Sequence, residues 1–563
     1  MDGGGAGEQA CAATSLGAGA SAGAGAGAGA SGGDSAGAGA GASGGDTGMH
    51  AAGYTVVVVG AGLAGATAAH RVATRLPWAT VLVVEASPCI GGRLSNARSV
   101  PLKAALKGDF SSGSASATTG AATTTAGVVY DLGAAWTWPS HDKTLAGVAR
   151  SVGVRTVTQL GPGAAMQDTG RGWRPVKAQV FSQERRFVGG AAAIPEALLA
   201  AATATGRVRV VTGAAVTRVT AGKSEGGGAI EVGVTCQPPA ATCDATVGAG
   251  VAGAAPAPAF TPCAADFVAS ASHVIVAAPP AVVHQRVAFT PALPHGVAEA
   301  MRRTPVWMAD TAKLGFTFET AFWRGLGLSG SAFSRQGPIQ QLWDNTQDLM
   351  EPPAAPPVAA AAAAGTTKPA PPTAGGAGAG AGAGAPAAAS TAAAPGALVG
   401  FVFGAHAEAL SSGGSGAGSV VGAALRQLQG MFGEEGVSQC TGVAVQAWPG
   451  HAWIAPAPTP SPTGMPPRPP ASAGQNGFGA RELRDGAAFD APTGSGKSGS
   501  GSGRAWRGRL HLAGTETEDE AGHMEGAAMS GLRAADAVVR ALGASGGAGG
   551  GAQAYAYTYT TSE

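Results

Sequence analysis

A run of β-branched residues, Tyr54-Thr55-Val56-Val57-Val58-Val59, ends abruptly in Gly60-Ala61-Gly62-Leu63-Ala64-Gly65, a glycine spacing suited to gripping a pyrophosphate. Gly60 permits the tight bend, Gly62 lets the backbone come close to phosphate oxygens, and Gly65 lets a following helix pack closely on the strand. Ala61 and Ala64 complete the turn. Phosphate would then face a helix beginning near Leu63, whose first amides are unpaired and whose dipole favours an anion. A second apolar run, Ala79-Thr80-Val81-Leu82-Val83-Val84, ends in Glu85, where a carboxylate would accept from ribose hydroxyls. Glycine is abundant here, 94 of 563 residues, but the glycines of the low-complexity stretches lack both a preceding valine run and an acid at that distance. The stretch therefore reads as a dinucleotide site.

Four further stretches could do chemistry. Arg93 follows Gly91-Gly92 shortly after Ala86, and a guanidinium beside accessible glycine amides suits a second contact to a diphosphate. Residues 128–136 read as a strand running into Gly133-Ala134-Ala135-Trp136, small residues that let a flat ring approach the backbone. Lys313 lies in the apolar run 307–318; a lysine on a buried face is costly without a partner, so it invites a functional reading. The alternative is a lysine pointing to solvent from an edge strand, and the pattern alone does not choose. Near the C-terminus, Leu510-His511-Leu512-Ala513-Gly514 delivers the chain to a turn, and a helix beginning near Met524 would aim free amides at whatever lies there. An ordinary turn with a solvated acid cluster at Glu516, Glu518, Asp519 and Glu520 would explain the charges, but not the small-residue frame around them.

The order of these stretches resembles the flavin-containing amine oxidases, the family of monoamine and polyamine oxidases. Arg186-Phe187-Val188-Gly189-Gly190, the strand pair around Val216, His273-Val274-Ile275-Val276-Ala277-Ala278-Pro279-Pro280, Phe322-Trp323-Arg324 and Gly522-His523-Met524-Glu525-Gly526-Ala527 extend the likeness. The resemblance implies an α/β fold: a Rossmann-like FAD domain of the two-dinucleotide-binding type, an α+β substrate domain, and disordered Gly/Ala/Pro-rich insertions. It implies FAD held by Gly60, Ala61, Gly62, Ala64, Gly65, Glu85, Ala86, Gly92, Arg93, Ala134, Ala135, Trp136, Val216, Gly514, Glu516 and Met524, with Val216 meeting the adenine through its backbone. Lys313 would be the catalytic lysine that holds a water against the flavin N5.

Two departures bear on substrate. No cysteine follows Trp448 and Trp453 where monoamine oxidases attach the flavin, so noncovalent FAD is expected. The second tyrosine of their amine cage falls on His523. Trp453 and His523 are the candidate substrate contacts, and His523 could be a wall, a proton acceptor or a helix-start residue. The expected activity is oxidation of a primary or secondary amine, polyamines included, with dioxygen as acceptor. The alternatives are a related FAD desaturase or porphyrinogen oxidase and a flavin-bound scaffold without turnover.

Those sites divide the chain into an FAD domain over 53–103, 186–290 and 504–543, a junction at 128–150, and a substrate domain over 151–185 and 291–456. The stretches 1–52, 104–127, 351–396, 457–503 and 544–563, rich in Gly, Ala, Pro and Ser or polar at the C-terminus, cannot bury enough apolar surface to offset chain entropy and are expected to be disordered. Net charge is +1 with 12% charged residues, which offers no electrostatic footprint for nucleic acid or an anionic membrane. Small molecules are the expected partners. The six cysteines form no C-x-x-C pair, so neither a metal site nor a disulfide framework is expected and the thiols should be reduced. With no targeting segment and no apolar run long enough for a bilayer, the expected location is cytoplasmic.

Overall fold

A computed structural model describes residues 53–94, 99–110, 131–159, 161–177, 183–222, 228–238, 260–346, 395–456, 483, 505–506 and 508–545. The principal elements run β1 (Gly53–Val59), α1 (Leu63–Arg75), β2 (Val81–Val84), α2 (Lys143–Ser151), α3 (Ala193–Thr203), β3 (Val208–Thr212), β4 (Ala214–Thr220), β5 (Ile230–Cys236), β6 (Phe267–Val276), α4 (Pro280–Arg286), β7 (Thr311–Phe318), β8 (Ile339–Asp344), β9 (Gly396–Phe403), α5 (Gly414–Phe432), β10 (Cys440–Ala447), β11 (Leu510–Leu512) and α6 (Met524–Ser545).

The valine runs become the centre of a parallel sheet in the order β3-β2-β1-β6-β11, and β5 and β4 extend it in antiparallel fashion beyond β6. Because side chains alternate across a strand, Val56, Val58, Val81 and Val83 enter one core with α1, α3 and α6, while Val57, Val59, Leu82 and Val84 enter another on the opposite face. Covering both faces is what lets β1 be apolar at successive positions. The turn from β1 into α1 is closed by close packing: a Cβ on Gly65 would lie 1.9 Å from the Gly60 carbonyl oxygen. Gly65→Ala must therefore push α1 off β1, and we expect it to cost about 1–3 kcal/mol, seen as a lowered melting midpoint of the cofactor-free protein.

A second, largely antiparallel sheet places β7 between β9 and β10, with β8 beyond β9. Every residue of β7 is buried. Lys313 is thus on a central strand, which disposes of the edge-strand alternative. The strand begins at Thr311, not at Trp307, because Met308 takes a left-handed φ of 71° that breaks the extended run.

The structure departs from other expectations as well. Residues 131–132 are irregular instead of a strand end, 133–136 are irregular as the expected small-residue turn requires, and 128–130 lie outside the described residues. The same holds for 1–52, 111–127, 351–394 and nearly all of 457–503 and 546–563, so the expected disorder there is not described. Residues 102–105, however, are helical. The expectation of reduced thiols is corrected: Cys236 and Cys263 form a disulfide, and Cys89 is disulfide-bonded too. Spacing gave no hint, because it is the register of the sheet that brings the end of β5 beside the strand Thr261–Pro262, with Cα atoms 5.4 Å apart. Cys440 remains a free thiol, and burial pushes its pKa up to about 12. No described helix is long and apolar enough to cross a membrane.

Candidate active site

The loops at the ends of β1 and β2, the start of α6 and the inner face of the second sheet enclose a cavity of about 530 Å³. Part of its wall is backbone. Gly60, Gly62, Ala64, Ala86 and Gly92 line it together with Glu85 and Arg93, and a Cβ on Gly62 or Gly91 would meet nothing closer than 3.8 Å. Gly62 sits at the start of α1 with no side-chain cap, so the helix presents its first amides to that open space.

Glu85 is 7% exposed. One carboxylate oxygen accepts from the Ala61 amide at 2.7 Å and the other from the Ser87 amide at 2.8 Å. Burial pushes its pKa up and these two bonds pull it down. Each oxygen keeps a further lone pair for a hydroxyl. Val216 and Ala214 continue the wall from β4.

Ala134, Ala135, Trp136, Gly514, Met524 and Lys313 belong to the same wall. Lys313 is 1% exposed. Its ammonium donates to the Gly133 carbonyl and, at 3.4 Å, to that of Asp131, and it lies 5.0 and 4.7 Å from the ring centres of Trp343 and Phe401. Burial lowers its pKa to about 7, and the Asp131 carboxylate opposes that shift. Asp131 is itself buried, accepts from the Ala191 amide and lies 3.8 Å from Arg186.

Arg93 reaches across the cavity wall to Glu516 in a two-pronged ion pair of 2.5 and 3.0 Å. Glu518 accepts from Nε of Arg533 at 2.7 Å. Both acids are buried. The idea of a solvated acid cluster is therefore wrong for these two and holds only for the more exposed Asp519 and Glu520.

Trp307, Met308, Phe401, Trp448, Trp453, Ile454, Gln446 and His523 also line the cavity. The guanidinium of Arg286 lies 4.8 Å over the Trp453 ring, and the His523 ring is 6.3 Å from Trp138. The expected site residues thus converge on one cavity, except that Ala61, Gly65 and Glu516 stand behind its wall, joined to it by the bond to Glu85, by α1 and by the pair with Arg93. The sequence did not reveal the carbonyl cage of Lys313 or its two rings. Phe401 and Gln446 are its register partners on β9 and β10, joined to it only by pairing across long intervening segments.

A cavity with Cβ-free walls at a helix start, a buried acid on its wall and a buried lysine beside a small-residue loop fits a dinucleotide carrying a flat ring. The model of the flavin-containing amine oxidoreductase family matches residues 163–539, more than half of the chain, and that of an NAD(P)-binding Rossmann-like domain matches residues 58–151. The chain belongs to the flavin-containing amine oxidoreductases. As such it is an FAD-dependent oxidoreductase with a mixed α/β fold.

Among solved structures, this amine oxidoreductase is similar to a putrescine oxidase with putrescine bound, at 15% identity and a TM-score of 0.54, over 87% of this chain and 100% of that one. It is also similar to cyclohexylamine oxidase from Brevibacterium oxydans IH-35A, at 17% identity and a TM-score of 0.50, over 87% and 99% of the two chains. At these identities the likeness concerns the fold. No curated protein matches the chain by sequence.

Proposed function

We propose that this protein oxidises a primary or secondary amine, polyamines included, with noncovalently held FAD, dioxygen as acceptor and hydrogen peroxide as product. Lys313 is the observation that supports this reading most. A buried cation fixed by two carbonyls and two ring faces beside the Gly133-Ala134-Ala135-Trp136 loop stabilises negative charge that grows next to it. Bound FAD would supply the acceptor for the hydride of the amine α-carbon and the donor of electrons to dioxygen.

The chain's own groups bind and orient. The α1 amides and Arg93 take the diphosphate, Glu85 takes the ribose hydroxyls, the backbone at Val216 takes the adenine, and Gly514 and Met524 close the other side. Trp307, Trp448 and Trp453 keep water from the reacting end, and Trp453 and His523 meet the amine. The disulfides weigh against the reducing cytosol expected from the sequence and favour an oxidising compartment.

Anaerobic mixing of the yellow protein with a panel of mono-, di- and polyamines tests the reading. Bleaching of the flavin by at least one amine is expected. Bleaching by polyenes or porphyrinogens alone would replace the reading with a desaturase or porphyrinogen oxidase, and no bleaching by any donor would leave a scaffold. The mode of attachment is tested separately by acid precipitation, which should release all the flavin into the supernatant. Colour retained in the washed pellet would show a covalent bond.

A further inference from the structure

We propose that His523 accepts the proton of the incoming ammonium and that Glu520 and His141 carry it to solvent; this rests on the reading of the site as amine-oxidising. A primary aliphatic amine has a pKa of about 10, so at neutral pH it arrives almost wholly as the ammonium. In that form the nitrogen has no lone pair to stabilise loss of hydride from its neighbouring carbon. A base must first break one N–H bond and leave the electron pair on nitrogen.

His523 is placed to be that base. It lines the cavity immediately before α6, and its side chain is 32% exposed. Nδ1 faces one oxygen of Glu520 at 3.7 Å, while Nε2 has no protein partner among the described residues. The other oxygen of Glu520 faces Nε2 of His141 at 3.5 Å. Nδ1 of His141 meets Asp142 at 3.1 Å, and Asp142 is fixed by the Thr137 hydroxyl and the Trp138 amide at 2.9 and 2.8 Å. Side-chain exposure rises along the path to 55% at His141.

An imidazole can take a proton on one nitrogen and release one from the other. The amine proton forms the Nε2–H bond of His523, the Nδ1 proton passes to Glu520, and Glu520 passes it to His141, which exchanges with water. The two carboxylate distances are longer than hydrogen bonds, and a small side-chain rotation or one water closes each. Asp142, Glu520 and Glu525 are the charged groups acting on the outer imidazole, and they hold His141 above the ordinary histidine range, its bond to Asp142 first. Of the other bases on the wall, Lys313 is already a donor to two carbonyls, and Nδ1 of His451 already accepts from the Trp453 amide.

The test is anaerobic stopped-flow reduction of the holoprotein by benzylamine and by putrescine from pH 6 to about pH 10.5, in parent, His523→Gln and Glu520→Gln proteins whose flavin absorbance shows equal FAD content. At pH 7 the second-order reduction rate of His523→Gln should fall on the order of 100-fold, with a smaller fall for Glu520→Gln. Both deficits should shrink towards parity near pH 10, where the amine arrives neutral. A His523→Gln deficit equal at every pH would make the residue a mere wall, and a variant that tracks the parent throughout would remove it from the reaction; either overturns the inference while leaving amine oxidation intact. A parent that no amine reduces at any pH overturns both.

Discussion

The Lys313→Met protein should fold, retain FAD and be bleached by amine anaerobically, yet reoxidise in air on the order of 100-fold more slowly than the parent, the size of effect seen when one preorganised electrostatic group is removed. Methionine keeps the stem volume between Trp343 and Phe401 while deleting the ammonium. The loss leaves the Gly133 and Asp131 carbonyls without their donor, a stability cost of about 1–3 kcal/mol that the fold should absorb. The pH dependence provides a second check. Burial sets the Lys313 pKa at about 7, so its charge is complete well below that value and is lost as pH rises through it. Parent reoxidation should therefore slow from pH 6 to pH 8.5, while the variant's rate stays flat over the same range. Stopped-flow traces of the two half-reactions decide the matter; a folded, FAD-replete variant that reoxidises like the parent would sink the assignment of Lys313.

Glu85→Arg should abolish FAD retention, with flavin occupancy of the purified protein falling below about a tenth of the parent's. The substitution removes the acceptor of two buried amides, Ala61 and Ser87, at about 1–3 kcal/mol each, and adds an unpaired cation where ribose hydroxyls need an acceptor. Glu85→Gln separates binding from folding, because its amide oxygen still accepts from one of the two amides. It should lower the melting midpoint of the cofactor-free state less than the arginine variant does and bind FAD at least about tenfold more weakly. Stoichiometric FAD in the arginine variant would mean that a different acid faces the ribose.

Much of the cofactor half was legible because local sequence carries it. The β1 turn needs its glycines at fixed offsets, Glu85 ends the next strand, and helices begin at Leu63 and Met524 where small residues give way to amphipathic runs. What escaped reading depends on pairing at long range. Lys313 could be seen as anomalous, but whether it was buried depended on which strands flanked β7, and those lie far along the chain. The acids after Gly514 looked like one solvated group. Tertiary partners split them, sending Glu516 to Arg93 and Glu518 to Arg533. The disulfide was hidden for the same reason, since low sequence complexity between Cys236 and Cys263 masks the sheet register that joins them.

The pairing of α1 with α6 carries a consequence for synthesis. α1 follows the first glycine turn, but the helix that covers it begins at Met524. The two meet so closely that a Cβ on Gly531 would lie 2.4 Å from the Ala64 carbonyl oxygen, and Arg71 is paired with Asp536 at 2.8 Å. While the ribosome makes the intervening residues, α1 has an uncovered apolar face and β6 lacks β11 beside it. Its turn is ready for phosphate, but half the clamp has yet to be translated. Cofactor capture is therefore a post-translational event, and a nascent chain arrested before β11 should emerge colourless and dependent on chaperones.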